Sequence, residues 1–296
     1  MVPDLPVLIG VGPVRTGTSW VHEMFFDHPE ASVTRVKEVN YFRTHFAKPI
    51  EWYFDQFQPT TSRTKILVDM SPSGFGCPSV PARIRREIRD PYLLIGLRSP
   101  YERLLSCYLK FGKSYESFAL FAKAFYINGF TPLSTRIREY VGCAGQERII
   151  FFPFDDLSNN PVKMSRELQS RLGLQYHRSL SIAHRINSAG TPGSDEVRWT
   201  VATSAGNVLA NLAPGLKYKL RYSWPFSEFH GVISTGVGPD GRLSVADAVA
   251  TFENFSVLFE PDIDRFEEIL STELKGWRLD AQCRRITESP TSDAVL

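Results

Sequence analysis

The chain opens with short apolar runs separated by stretches of helical period. Val7–Val11 is wholly apolar, and so short an unbroken run reads as a strand buried on both faces. A helix is expected from about Thr18 to Asp27. It stops near His28-Pro29, because the residue before a proline is steered away from helical backbone. Ala31–Val36 alternates as a strand does, and Lys65–Asp69 is a further strand closed by Ser71-Pro72. Ser79–Arg89 has the period of a basic amphipathic helix. After the Asp90-Pro91 turn, Tyr92–Leu97 is a second apolar strand. Ser99 suits an N-cap, Pro100 the first helical position, and Glu102 completes a capping box, so a helix should run to about Phe111.

Helical period returns at Tyr115–Ile127 and Leu133–Val141, and Arg148–Phe152 reads as a strand. Asn160-Pro161 opens a helix that ends near Gly173, and a last amphipathic helical region covers Val245–Leu274. Strands that alternate with helices in this way predict an α/β fold, a central parallel sheet flanked by helices. One domain is expected over residues 5–280, with no internal repeat. Within it, residues 186–244 are irregular and rich in glycine, proline and serine, which suggests a cap or substrate-loop region. The polar residues 285–296 read as a flexible tail.

Of the 296 residues, 43% are hydrophobic and 12% aromatic, enough to bury a sizeable core. A net charge of +2 gives no basic field for a nucleic-acid partner, so any anion site must be local. Cys77, Cys107, Cys143 and Cys283 are widely spaced, which argues against both a metal site and a disulfide framework. Free thiols suit a reducing compartment, and a cytoplasmic protein is expected. No apolar run approaches the ~20 residues of a membrane span. The first apolar run leads straight into a glycine turn, so it reads as a strand and not as a signal peptide.

That turn is the first candidate for chemistry. Gly12 to Ser19 reads G-P-V-R-T-G-T-S, close to the phosphate-loop (P-loop) pattern G-x-x-x-x-G-K-[ST]. Thr18 stands where nucleotide hydrolases carry lysine, and the cation, Arg15, comes earlier. A strand running into a glycine turn and a helix N-terminus aims backbone N–H groups and the helix dipole at an anion. Gly17 permits close approach, and Arg15, Thr16, Thr18 and Ser19 offer side-chain donors. Taken alone, the loop is also compatible with an ordinary capped connection.

Two further segments sharpen the picture. In "LRSPYERLLSCYLKF", Arg98 follows the carboxyl end of a buried strand, where open α/β sheets bind ligands. Arg103 and Ser106 lie on the next helix, and an arginine fork with a hydroxyl suits a phosphate monoester. In "KEVNYF", Glu38 could serve as a general base at the sheet edge; an exposed charged turn is the plainer alternative.

Together "PVRTGTSW" (Pro13–Trp20) and "RSPYERLLSCY" (Arg98–Tyr108) resemble the sulfotransferases that use 3′-phosphoadenosine 5′-phosphosulfate (PAPS). "KEVNYF", "EWYFDQF" (Glu51–Phe57) and "DMSPSGF" (Asp69–Phe75) look most like the heparan-sulfate glucosaminyl sulfotransferase branch. "LSNNPVKMSRELQSRLGL" (Leu157–Leu174) and "LFEPDIDRFEEILSTELKGW" (Leu258–Trp277) have counterparts there too.

The resemblance implies roles. Arg15, Thr16, Gly17, Thr18 and Ser19 would hold the 5′-phosphosulfate, with Arg15 in place of the usual lysine. Trp20 would lie near the adenine. Arg98 and Ser106 would hold the 3′-phosphate, with Arg242 of "GR" nearby. Glu38 matches the family's catalytic base, and Lys37, His45 and Met70 are candidates for the acceptor side. There are departures: Met70 replaces a lysine, Asp240 replaces another, and the cysteine pair of the secretory glycan enzymes is missing.

The activity implied is transfer of sulfonate from PAPS to an acceptor hydroxyl or amine, the acceptor being a glycan or small molecule, without a metal. Arg15 would stabilise the leaving oxygen by charge, since a guanidinium does not readily give up a proton. A nucleotide kinase would need a lysine at position 18 and a magnesium-holding carboxylate. A non-catalytic nucleotide- or glycan-binding protein on the same fold is the other alternative. His22 is expected to be a packed or surface histidine. "KYKLRYSWPF" (Lys217–Phe226) is either an edge strand or an anion-binding face, and "FALFAKAFY" (Phe118–Tyr126) is mostly core.

Overall fold

The computed structural model describes residues 3–127, 132–179, 182 and 243–288. Among the described residues five strands make one sheet: β1 Val7–Gly12, β2 Ala31–Val33, β3 Ile66–Met70, β4 Tyr92–Leu97 and β5 Ile149–Pro153. Their order is β2-β3-β1-β4-β5, and every pairing is parallel. β1 is therefore central, and each of its residues is buried, which is why its sequence is apolar throughout. Its register pairs Val7 with Leu67 and Gly10 with Met70. The register against β4 shifts between Gly10 and Gly12, where the chain leaves the sheet for the glycine loop.

Successive strand residues face opposite sides. Leu8, Val68, Leu94 and Ile150 meet Trp20, Val21, Met24 and Phe25 of α1 (Thr18–Phe26) and Met164 and Leu168 of α8. That last helix, Pro161–Arg171, starts as its sequence suggests: Asn160 Oδ1 accepts the Lys163 N–H at 3.1 Å and Pro161 occupies the first turn. On the other face, Ile9 and Val11 line a small cavity with Val80 and Ile84 of α3 (Ser79–Glu87).

Contacts divide the chain into two compact units. One holds the sheet and runs to Leu97 and again from Tyr140; the other holds Arg98–Glu139 and the described C-terminal residues. The second unit is helical, with α4 Pro100–Phe111, α5 Phe118–Ile127, the start of α6 Leu133–Ala144, α9 Val245–Leu270 and α10 Leu279–Thr287. Tyr101 packs its ring against Phe252 and Phe259, at 5.1 and 4.9 Å between centroids. Buried Asp262 of α9 caps α6 by accepting the Leu133 and Ser134 N–H groups at 2.7 and 3.1 Å. Arg278 gathers Glu260, Asp264 and Glu267 at 3.1, 2.6 and 2.5 Å.

The short elements differ from expectation. A π-helical turn at Tyr41–His45, α2 Ile50–Phe54 and α7 Phe154–Asn159 carry no sequence signal strong enough to announce them. β2 stops at Val33 instead of Val36. The capping box does not close: Ser99 forms no side-chain cap, and Glu102 turns to Arg98 and Arg285. α10 carries helix to Thr287, past the Arg285 at which a tail was expected to begin. Most of the expected cap at 186–244, with Lys217–Phe226 and Arg242, lies outside the described residues.

Candidate active site

The glycine loop links the carboxyl end of β1 to the first turn of α1. Arg15 and Gly17 both take positive φ, 68° and 88°. Gly17 is the N-cap of α1 and, having no side chain, supplies no cap of its own to the helix's opening N–H groups. A Cβ on Gly17 would also lie 2.8 Å from Leu157 Cδ2, so the position needs glycine twice over. Thr16 is fully buried, and its hydroxyl donates to the Pro13 carbonyl at 2.7 Å; that group braces the loop from inside. Thr18 is buried at the start of α1, and Ser19 is half-buried beside it.

Trp20 was expected beside an adenine. It is 4% exposed, belongs to the core between α1 and the sheet, and lies 6.1 Å from the Phe152 ring. Met70, expected on the acceptor side, is likewise sealed, at 0% exposure in the same core. The cause is strand alternation: Met70 points to the α1 face and Asp69 to the other. His22 is a packed histidine, with Nε2 3.1 Å from the Thr34 carbonyl. His45 is half-buried at the end of the π-helical turn, 5.2 Å from the Trp52 ring.

Glu38 and Lys37 lie on the segment between β2 and the π-helical turn. The Glu38 carboxylate accepts the Ser73 N–H at 3.3 Å and the Ser73 hydroxyl as well. Ser73 sits just beyond the carboxyl end of β3, next to β1 in the sheet. The Lys37 ammonium is 3.8 Å from Glu38, and burial pushes its pKa down while Glu38, Asp69 and Glu23 pull it back up. Asp69 is fully buried and accepts from Ser71 Oγ at 2.8 Å and Tyr53 Oη at 3.2 Å. Burial pushes its carboxyl up to about 6, against the pull of those two hydroxyls.

In the helical unit, Arg98 pairs with Glu102 at 3.3 Å, and Glu102 also takes a bond from Arg285. Arg103 and Ser106 are buried on α4, and burial pushes the Arg103 guanidinium down to about 10. Asp69, Tyr53, Ser71 and Ser73 were not singled out in the sequence. The available signal was Asp69 itself, a carboxylate in an otherwise apolar strand, where an ionisable group needs partners. Among the described residues, no cluster of His, Cys, Asp and Glu could hold a metal ion, and no helix is long and apolar enough to cross a membrane.

The glycine loop at the end of β1 and the Glu38 carboxylate, held by Ser73 just beyond β3, both lie at the carboxyl ends of neighbouring strands of the sheet. Residues 5–188 match the family model described as the sulfotransferase domain. That is more than half of the chain, and the chain belongs to this family. It is similar to the membrane-associated sulfotransferase kil1 of Dictyostelium discoideum, 31% identical over 106 residues, 35% of this chain and 22% of that protein. It is also similar to mouse heparan sulfate glucosamine 3-O-sulfotransferase 5, 34% identical over 110 residues, 36% of this chain and 31% of the relative. These matches span less than a third of either relative's length. A crystal structure of a sulfotransferase from Alicyclobacillus acidocaldarius has the same fold, with a TM-score of 0.62 over 93% of this chain and 99% of that one, at 16% identity.

Proposed function

We propose that this sulfotransferase moves the sulfonate of PAPS to a hydroxyl or amine of a carbohydrate or small natural product, with Glu38 as general base. The observation that carries this is the placement of Glu38. Ser73 holds it at the carboxyl end of β3, and β1, the adjacent strand, delivers the glycine loop at its own carboxyl end. Open α/β sheets bind their ligands along this edge.

The donor supplies a sulfonate already activated on a phosphate leaving group. The first turn of α1, opened by the positive-φ Gly17 that brings no side chain of its own, fits such an anion through its backbone N–H groups and the helix dipole. Arg15 stabilises charge at the leaving oxygen; its guanidinium stays protonated, so the contribution is electrostatic. Glu38 takes the proton from the acceptor, and its bonds from Ser73 fix its direction. Arg98 and Ser106 bind the 3′-phosphate by charge-assisted bonds. The four free thiols support a cytoplasmic setting.

The test is calorimetric titration with adenosine 3′,5′-bisphosphate, followed by label transfer from PAPS to a panel of oligosaccharides, phenols and lipid-linked sugars. Binding with transfer is expected. Binding without transfer to any acceptor would mark a non-catalytic binding protein, and no binding would sink the reading.

A further inference from the structure

We infer that Asp69 is a positioning residue for Glu38: through Ser71 it fixes the segment that carries the carboxylate. This rests on the reading of Glu38 as the base.

Lys37 lies beside the carboxylate: its side chain is 17% exposed and its ammonium is 3.8 Å from Glu38.

Asp69 reaches Glu38 through the backbone. Its Oδ1 accepts the Ser71 hydroxyl at 2.8 Å, and Ser71 Oγ in turn accepts the Asn40 N–H at 3.0 Å. Asn40 has a φ of 53°, in the left-handed region that asparagine tolerates better than most residues. The Asn40 carbonyl then receives the N–H groups of Arg43 and Thr44 at 3.2 and 2.9 Å, which starts the π-helical turn. Asp69 thus anchors one end of the Lys37–Asn40 segment while Ser73 holds the Glu38 side chain. Tyr53 on α2 completes the set by donating to the second oxygen of Asp69.

The anchoring arm is read by amide hydrogen exchange without substrate. Ser71→Ala should speed exchange at the Asn40 N–H at least tenfold, and Ser71→Thr, which keeps the hydroxyl, should restore protection. Unchanged exchange in Ser71→Ala overturns the anchor. The two readings fail separately. If Glu38→Gln transfers label at the wild-type rate while exchange at Asn40 speeds up in Ser71→Ala, Glu38 is not the base and the anchor stands; if transfer collapses while exchange stays unchanged, the anchor fails and the base stands.

Discussion

Ser73 binds the Glu38 carboxylate from two sides of its own residue: the backbone N–H lies 3.3 Å from Oε2, and the hydroxyl donates to the same oxygen. A carboxylate held this way has lost most of its freedom before any acceptor arrives, which is what a general base needs. Ser73→Ala should therefore lower kcat about tenfold, the loss expected for one bond to a charged group. The backbone N–H remains, so the effect should be smaller than loss of Glu38, and the KM for PAPS should stay within about twofold. Steady-state kinetics at saturating donor measure both.

Arg98, just ahead of α4, pairs with Glu102 of that helix at 3.3 Å. A bound phosphate has to compete with that carboxylate. Arg98→Ala should weaken binding of adenosine 3′,5′-bisphosphate by roughly 10²-fold, as loss of a charge-assisted contact does. Glu102→Gln should strengthen it by about 2–5-fold, because the competing charge is removed. Isothermal titration reads both, and unchanged affinity in Arg98→Ala would move the 3′-phosphate elsewhere.

Gly96 on β4 faces the loop brace. A Cβ there would lie 2.0 Å from Thr16 Oγ1 and 2.4 Å from Thr16 Cβ, with the Thr16 carbonyl at 3.0 Å. Thr16 is fully buried and cannot retreat without giving up its bond to Pro13. Gly96→Ala should cost about 1–3 kcal/mol of stability, the range for overpacking, and should weaken donor binding with it. Urea unfolding measures the first and titration the second.

His28 makes stability depend on pH. Its Nδ1 accepts the Glu30 N–H at 3.1 Å, and Nε2 lies 3.1 Å from the Gln175 carbonyl, an arrangement for the neutral ring. Burial lowers its pKa from the ordinary 6.5, helped by His177 and opposed by its hydrogen bonds and Glu30. The unfolded chain therefore binds the proton more readily, and this contribution is present above pH 6.5 and lost as pH falls through the lower folded value. Asp69 acts in the opposite sense, since its raised carboxyl favours the folded state as pH falls through about 6. In urea unfolding between pH 8 and 5, His28→Gln should lose less stability on acidification than the wild type does. A steeper loss would contradict the assignment.

Much of the sheet was legible because its strands are extreme. Val7–Val11 and Tyr92–Leu97 contain nothing but apolar residues and glycine, and only a doubly covered strand explains that. α4 and α8 announced themselves through Ser99-Pro100 and Asn160-Pro161, although Ser99 turned out to cap nothing with its side chain. The candidate base was legible only through resemblance, since Glu38 alone is one charged residue in a turn. What holds it was not legible. Ser71 and Ser73 act across more than thirty residues of sequence, and no local period encodes such a contact. Met70, named for the acceptor side, is sealed in the core, because one step along a strand reverses the side that a residue faces.

The central claim is tested most directly by Glu38→Gln, assayed for label transfer from PAPS to the acceptor the wild type uses, with adenosine 3′,5′-bisphosphate affinity measured on the same preparation. The account predicts a fall in kcat of roughly 10²–10⁴-fold, the range for a lost general base, with affinity kept within about threefold. A variant that transfers sulfonate near the wild-type rate would contradict it.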